Sequence, residues 1–562
     1  MGADEAWTPE DYMREQFERS VGDLEGYLSD EDIALLRAFA LKVEDNLSDA
    51  TFDKFRYTFP KSDLGTYKAA KARIQFLAGF KPVTYDCCPN SCMAYTGPDY
   101  SALGSCPFCG TSRYNSQKQA HKHYTYIPLI PRLQAYFRNS KLKEEMQYRH
   151  KFESTDRLAN EDDPIEDVFD SANYKSLKGT FVNVDGKQYT HTFFNDPRDI
   201  ALGLSTDGFC PFKRRKQTCW PIILFNYNLP PDIRFAVHWI LCVGVIPGPK
   251  KPKDSDSFLY PLVQELLQLS IGVTTFDSQA SALFKLRAYP ILGFGDYPAI
   301  SMIMQMKGHN GIFPCRMCLI EGLRVPNHRG TTHYVPLHRG QHPNVIDGTT
   351  RRGITQYDPA NLPVRSHTQF MKHARLVQFA SSNQEAEELG KACGVKGIPL
   401  LSCIPSLLFP TSFPFDFMHL AYENLIKNLV HLWTGTFKDL DHSGEDYVLS
   451  GSVWEAIGEA TARSGSTIPG AYGARPQNIA DDATACTADS WSFWALYLGP
   501  ILLQRRFSNP DYYNHFIKLV QLLNLCLQFS ITRDEIQKLR VGFQDWVVEY
   551  ERYINDIFNF MH

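Results

Sequence analysis

The 562-residue chain is expected to be α+β with α/β character: a sheet core with an insertion, preceded by a helical module and a small four-cysteine ribbon and followed by a helical region. Three observations predict this. Between residues 187 and 294, apolar runs broken by Gly, Pro and Asn turns follow one another, with one helical stretch, LYPLVQELLQLSIGV, among them. Both ends of the chain instead carry apolar residues at helical spacing. Between the first helical part and the sheet, cysteines recur at the spacing of two metal knuckles. The length fits about three or four domains. Composition divides the chain into 1–84 (helical module), 85–115 (ribbon), 116–186 (linker and acidic arm), 187–435 (sheet core, with an insertion at about 310–412) and 436–562 (helical).

The helical module rests on SDEDIALLRAFALKVEDNL, where Ile33, Leu36, Ala40, Val43 and Leu47 share one face and Ser29 and Asp32 form a capping-box pair, and on a second helix over Thr66 to Leu77. The ribbon follows in YDCCPNSCMAYTGPDYSALGSCPFCG. Cys88-x3-Cys92 and Cys106-x2-Cys109 offer four thiolates from two short turns, the ligand set of tetrahedral zinc; a closed four-cysteine site is structural because no position is left for water. Cys87 competes with Cys88 for a place in the first pair. The acid-rich STDRLANEDDPIEDVFDSA then reads as a solvated arm.

Strand character resumes at Lys187 with KQYTHTFFND, DIALGLSTDGFCPF, WPIILFNYNLPP and RFAVHWILCVGVIPGP. Ile200, Leu202 and Leu204 lead into Asp207. After the helical stretch, FKLRAYPILGF ends at Gly295 and Asp296. Counted from DIALGLSTD, three antiparallel strands, a helix and a fourth strand, with acids ending the first and fourth, fit an RNase H-like core. Asp296 also reads as a helix cap, with Pro298 just inside the helix.

Beyond it, Cys315 and Cys318 form a second Cys-x2-Cys pair, followed by a His- and Pro-rich stretch with His328, His333, His338, His342, His367 and His373; with two of these, or with His309, the pair is a possible second zinc site. In FPFDFMHLAYENLIKNLVHLW, Asp416, Leu420, Glu423 and Lys427 share one helical side, and His419 precedes Glu423 by a turn. Glu423 is placed to be a third metal ligand, with Asp416 the runner-up. The tail is helical, with Thr532 and Glu535 as another capping box.

A net charge of −4 and a pI near 6.5 give no global basic field. KRRK at 213–216, KKPK at 250–253 and Arg351 with Arg352 remain as local patches, read as phosphate contacts, a nuclear import signal or solvated loops. Fourteen cysteines scattered through a large chain fit a reduced, intracellular protein better than a disulfide framework. MGADEAWTPEDYMREQ lacks the apolar core of a signal peptide. The apolar run near Phe235 to Pro247 is too short to span a bilayer, so no membrane partner is expected.

The blocks STDGFCPF, CWPIILFNYNLPPDIRF, GVIPGPKKPKDSDSFLYPLVQEL, FGDYPAI, KGHNGIFPCRMC and PFDFMHLAYEN, in this order and preceded by the cysteine knuckles, resemble transposases of the CACTA (En/Spm) type, such as those abundant in fungal genomes. The resemblance spans roughly residues 80 to 440. It implies an RNase H-like catalytic domain with a DDE triad that cuts and rejoins DNA at transposon ends, a nuclear location, and action as a homo-oligomer on terminal repeats and target DNA. Carried over by position, Asp207 matches the first acid, Asp296 the second and Glu423 the third; Cys210 stands where relatives often have Asn. Hard carboxylate ligands suit Mg²⁺ or Mn²⁺. Two alternatives accompany this expectation: a domesticated or truncated copy that binds DNA without catalysis, since the chain stops at His562 where relatives tend to run further, and a host nuclease of the same fold.

Overall fold

The computed structural model describes residues 28–60, 64–154, 163–211, 217–324, 333–437, 442, 444–469, 475–481 and 486–559. Ten strands precede the insertion: β1 Val83–Asp86, β2 His123–Tyr126, β3 Phe181–Val184, β4 Lys187–Thr192, β5 Ile200–Thr206, β6 Cys219–Asn226, β7 Leu241–Pro247, β8 Val273–Asp277, β9 Ala282–Leu286 and β10 Ala288–Phe294. Six of them form one mixed sheet in the order β1-β2-β7-β6-β5-β10. β5, β6 and β7 run antiparallel to one another, helix Asp256–Ile271 follows, and β10 returns parallel to β5.

β5 is an interior strand, between β6 and β10, and its residues are apolar on both faces, as a strand covered on both sides requires. Ile200, Leu202 and Leu204 face a core shared with Phe258, Leu262, Val263, Leu266 and Leu269 of the helix. Ala201 faces the other way, into a cluster with Phe225, Tyr227, Tyr289 and Ile291, covered by Tyr174, Leu177 and the β3-β4 hairpin. Each buried leucine contributes about 2 kcal/mol through the apolar surface it withdraws from water.

The stretch 116–186, expected to be a linker and acidic arm, is largely structured. It supplies β2, which joins β1 to β7 and widens the sheet by two strands. Arg149, 1 % exposed, bonds Glu153 and the carbonyls of Asp196, Pro197 and Asp199. Asp167, from the stretch read as solvated, is buried in a two-pronged pair with Arg234. Charge composition alone conceals such pairing, because the partner lies far away in sequence. Residues 155–162 of that stretch lie outside the described residues. FKLRAYPILGF, expected to be one strand, is two: β9 pairs with β8 apart from the main sheet, and β10 enters it. In the helical module, Leu35 packs around Phe52 with Ala38 and Phe39, while Val43 of the expected face is exposed.

The insertion contributes to the core. Helices His367–Gln378 and Asn383–Cys393 place Phe370, Ala374, Val377 and Cys393 in the same cluster as the sheet. Residues 406–413 then run along the open edge of β10: Ser406 Oγ donates to the Pro290 carbonyl, and Gly293 N donates to the Ser412 carbonyl at 2.8 Å. The following helix, Met418–Ile426, has π geometry, a form frequent at functional sites. It continues through Lys427–Trp433, and Tyr422, Ile426 and Trp433 enter a C-terminal helical core with Trp491, Trp494 and Phe516. Among the described residues, no helix is long and apolar enough to cross a membrane.

Asp256 ties the sheet helix to the insertion. Its Oδ2 accepts from Gln305 Nε2 and Leu400 N, both at 3.1 Å, while Oδ1 is buried without a partner. Burial, helped by the Asp254 charge, pushes its pKa up from 3.8 to about 7. The folded state therefore binds more protons than the unfolded one between those values, and stability present in full below the lower value is lost as pH rises through the upper. Asp256→Asn is expected to flatten this dependence and to be the more stable protein above neutrality by roughly 1–3 kcal/mol. Urea unfolding across the pH range checks this, and parallel curves for the two proteins would refute it.

Candidate metal centre and carboxylate cleft

The four cysteines lie on two reversals between β1 and β2. In the first, Ser91 adopts φ +62° and Cys88 N donates to the Met93 carbonyl at 2.9 Å; in the second, Gly110 adopts φ +71° and Cys106 N donates to the Thr111 carbonyl at 2.9 Å. Ligating atoms of Cys88, Cys92, Cys106 and Cys109 all lie within 4.8 Å of one another, the one such group of three or more ligating side chains among the described residues. Cys87, next along an extended backbone, points the opposite way into the sheet core. Burial pushes its thiol up to about 12. Hydrogen bonding with Thr111 and Asn90 pulls Cys109 down to about 6. Four sulfurs converging with no oxygen ligand fit a closed, structural metal such as zinc, with Cys88 rather than Cys87 in the set. The ribbon is tied to the sheet: Lys253 N and Asp254 N donate to the Cys92 carbonyl at 3.0 and 2.9 Å, and Ala94 N to Ser257 Oγ at 3.0 Å.

Cys315 and Cys318 do not acquire further ligands among the described residues. Cys315 Sγ accepts from Met317 N and Cys318 N, each at 3.3 Å, and Arg365 Nε bonds both cysteine carbonyls at 3.2 Å. Of the candidate histidines, His309 packs against Tyr297, His342 Nε2 meets the Arg324 carbonyl at 3.0 Å and His367 Nδ1 accepts from Phe409 N at 2.9 Å, whereas His373 Nδ1 has no hydrogen-bond partner; neither His338 nor His373 joins the cysteines in a metal group. His328, the His333 side chain and the basic run 213–216 lie outside the described residues.

The carboxylates gather where two parallel strands end. β10 pairs with β5 from Ala288–Ile200 to Phe294–Ser205, so the loops carrying Asp207 and Asp296 leave the sheet side by side. Gly295 permits this, since a Cβ there would stand 2.6 Å from the Thr206 carbonyl. Asp296 caps helix Tyr297–Ile303 through Ala299 N at 2.5 Å, and Asp207 accepts from Gly208 N at 2.6 Å. Burial and the neighbouring Asp296 charge raise the Asp207 pKa, against the pull of Gly208 N–H and His419.

The segment laid along β10 delivers Asp416 to the same end of the sheet. A cleft of about 480 Å³ is lined by Asp296, Tyr297, His309, Arg316, Asp416 and His419. Asp416 Oδ1 accepts from His419 N at 3.1 Å; His419 Nδ1 lies 3.2 Å from the same oxygen but lacks hydrogen-bond alignment. His419 Nε2 stands 3.9 Å from Glu423 Oε2, whose side chain is 43 % exposed on the rim between the lining residues Leu420 and Asn424. The cleft thus brings Asp296, Asp416 and His419 together, with Asp207 in electrostatic range and Glu423 at the edge. Arg316, which sequence reasoning passed over, is fully buried beside the acids. The signal available for it was a lone arginine between the two cysteines of a tight loop.

Residues 179–344 match the family model described as Transposase family tnp2. This span contains Asp207, Asp296, Cys315, Arg316 and Cys318, and excludes the four-cysteine ribbon, Asp416 and Glu423. It supports a transposase function. No curated protein matches the chain.

The ribbon geometry predicts one zinc per chain on metal analysis. Cys88→Ser and Cys106→Ser are expected to lose it and to lower the thermal midpoint by at least roughly 5 °C, as loss of a structural ion should. Cys87→Ser is expected to keep the metal; zinc loss in that variant alone would reassign the first ligand.

Proposed function

We propose that this chain is a cut-and-paste DNA transposase of the CACTA type, with an RNase H-like core that uses Asp207, Asp296 and Glu423 to hold two Mg²⁺ or Mn²⁺ ions. The observation that carries the reading is the parallel β5-β10 pairing, which sets Asp207 and Asp296 at adjacent strand ends. The strand order β7-β6-β5-β10, with the helix between β7 and β10, supports the fold assignment. The carboxylates fit hard cations: the charge of Asp296 disfavours ionisation of Asp207, and a bound cation would relieve that repulsion.

When bound, such ions would activate a water or a 3′-hydroxyl and neutralise the leaving oxygen. The attacking oxygen forms a bond to phosphorus as the P–O3′ bond breaks, leaving a 3′-hydroxyl and a 5′-phosphate. The liberated 3′-hydroxyl then joins target DNA by the same exchange, so no protein nucleophile is needed. In this reading the chain's own residues position and shield. Asp296 is fixed by its bond to Ala299 N, Asp207 by its bond to Gly208 N, and His419 stands between Asp416 and Glu423, able to orient both. Glu423 is the third ligand because a long, exposed side chain on the cleft rim can turn toward an ion; Asp416, already lining the cleft, is the competing choice. The partners are terminal-repeat and target DNA, bound by a homo-oligomer in the nucleus. The zinc ribbon is structural in this scheme, bracing the sheet edge.

The test is cleavage of a labelled DNA bearing the source element's terminal repeats with Mg²⁺ or Mn²⁺. Asp207→Ala, Asp296→Ala and Glu423→Ala are each expected to lower the rate by about 10³-fold or more, from loss of metal-ion catalysis. Asp416→Asn is expected to cost about tenfold, the scale of a positioning role; the reverse ranking of Glu423 and Asp416 would exchange their roles. Folded, zinc-loaded protein that binds this DNA but cuts with neither ion would replace the catalytic reading with that of a DNA-binding scaffold.

A further inference from the structure

Arg316 is the group at the cleft whose chemistry the metal scheme leaves unused. It is 1 % exposed and lies in the wall shared with Asp296 and Asp416. One edge of its guanidinium is held: Nη2 donates to the Pro414 carbonyl at 2.7 Å, and the plane sits 4.3 Å from the Phe415 ring centroid and 5.5 Å from that of Tyr297. Its Nε and Nη1 have no hydrogen-bond partner. A guanidinium so packed keeps its charge and its orientation, and its Nε and Nη1, buried in the cleft wall and unsatisfied, call for an oxygen ligand that the protein does not itself supply. Asp416 is near enough to be felt electrostatically, yet it forms no ion pair with Arg316.

We infer that Arg316 receives a non-bridging phosphate oxygen of the nucleic-acid strand that enters this cleft. The ligand class follows from the surroundings. A free carboxylate would meet the repulsion of Asp296 and Asp416. A phosphodiester, arriving with the cations those acids attract, presents oxygens that a guanidinium binds well. The aromatic packing matters as much as the charge, since it presets the fork and leaves little side-chain freedom to lose when the strand binds. Cys315 and Cys318 bracket Arg316, and Arg365 pins their carbonyls, so the loop offers the guanidinium from a fixed frame. This inference rests on the proposal that the cleft takes nucleic acid, but not on the cleft cutting it.

The experiment uses full-length, zinc-loaded protein and a fluorescein-labelled DNA duplex of arbitrary sequence. Calcium replaces magnesium to hold the complex without turnover, and affinity is measured across a salt series. Arg316→Met is expected to weaken binding about tenfold for every sequence and to lower the log–log salt slope by about one, the signature of one lost phosphate contact. Arg316→Lys is expected to keep the slope, since it keeps a point charge, while losing several-fold in affinity. Thermal midpoints establish that each variant is folded, and Arg316→Gln is read in place of the methionine variant if the latter fails to fold. Unchanged affinity and slope in a folded neutral variant would overturn the inference alone. Wild-type protein that binds no duplex would overturn both this inference and the nucleic-acid reading. A slope reduced by one in a protein that cuts DNA with no metal would leave Arg316 as a phosphate ligand and remove only the catalytic proposal.

Discussion

The exits of the paired parallel strands β5 and β10 are held together by one close approach, Gly295 against the Thr206 carbonyl. Any side chain at position 295 would press on that carbonyl and push the β10 exit away from the β5 exit. The positions of Asp207 and Asp296 both follow from this approach. So does the start of helix Tyr297–Ile303, because Asp296 serves at once as its cap and as a wall of the cleft. A cap and a ligand are compatible roles for one carboxylate: the cap occupies one oxygen and fixes the side chain, leaving the other oxygen directed by a rigid element rather than by a loop.

The remaining parts brace this pair of strands from both sides. On the far edge, β1 and β2 extend the sheet beyond β7, and the four-cysteine ribbon between them grips the β7 exit and the start of the sheet helix. On the near edge, residues 406–413 shield β10 and set the ring of Phe413 over Gly293, where a Cβ would come within 2.8 Å of the ring. An unprotected parallel edge strand invites pairing with other chains, and covering it removes that hazard. The cover has a second consequence. Because it is hydrogen-bonded to the β10 backbone at Pro290 and Gly293, the chain leaving it enters the cleft at Asp416 and starts the π-helical segment there. That helix is anchored through Tyr422 and Ile426 in the C-terminal core, so Asp416 and Glu423 stand where the sheet and that core meet.

The two acids and their strands were legible from sequence because each is a local event: an apolar run that ends at an acid with glycine beside it. The ribbon was legible for the same reason, with ligands supplied by two short turns. What escaped were facts that depend on distant partners. The strands flanking the ribbon are only four residues each, too short for alternation to be visible, and they are defined by pairing, β1 with β2 and β2 with β7. Asp167 looked like a solvated acid because its buried partner, Arg234, is far along the chain. The insertion looked irregular, yet its helices complete the main core, since Phe370, Ala374 and Val377 have spacing that only three-dimensional context identifies as sheet-facing. The choice between Cys87 and Cys88 was open in sequence, because adjacent residues of extended backbone point to opposite sides and nothing local says which side holds the metal.

The electrostatics of the cleft show why it is built from several elements. Carboxylates placed close together repel, and the raised pKa of Asp207 is the record of that repulsion on top of burial. A single loop carrying such charges would relax by moving them apart. Here Asp207 follows β5, Asp296 follows β10, and Asp416 leads into a helix held in a separate core, so no one segment can relieve the strain for all three. Glu423 on the exposed rim adds little to the repulsion at rest and remains free to turn inward when a positive charge arrives. In the proposed reading, this held repulsion is what a bound cation would relieve. The same acids would repel a polyanion, so in the proposed reading a fixed positive group in the wall has a place: buried Arg316 would supply attraction at one point in the cleft without neutralising the acids.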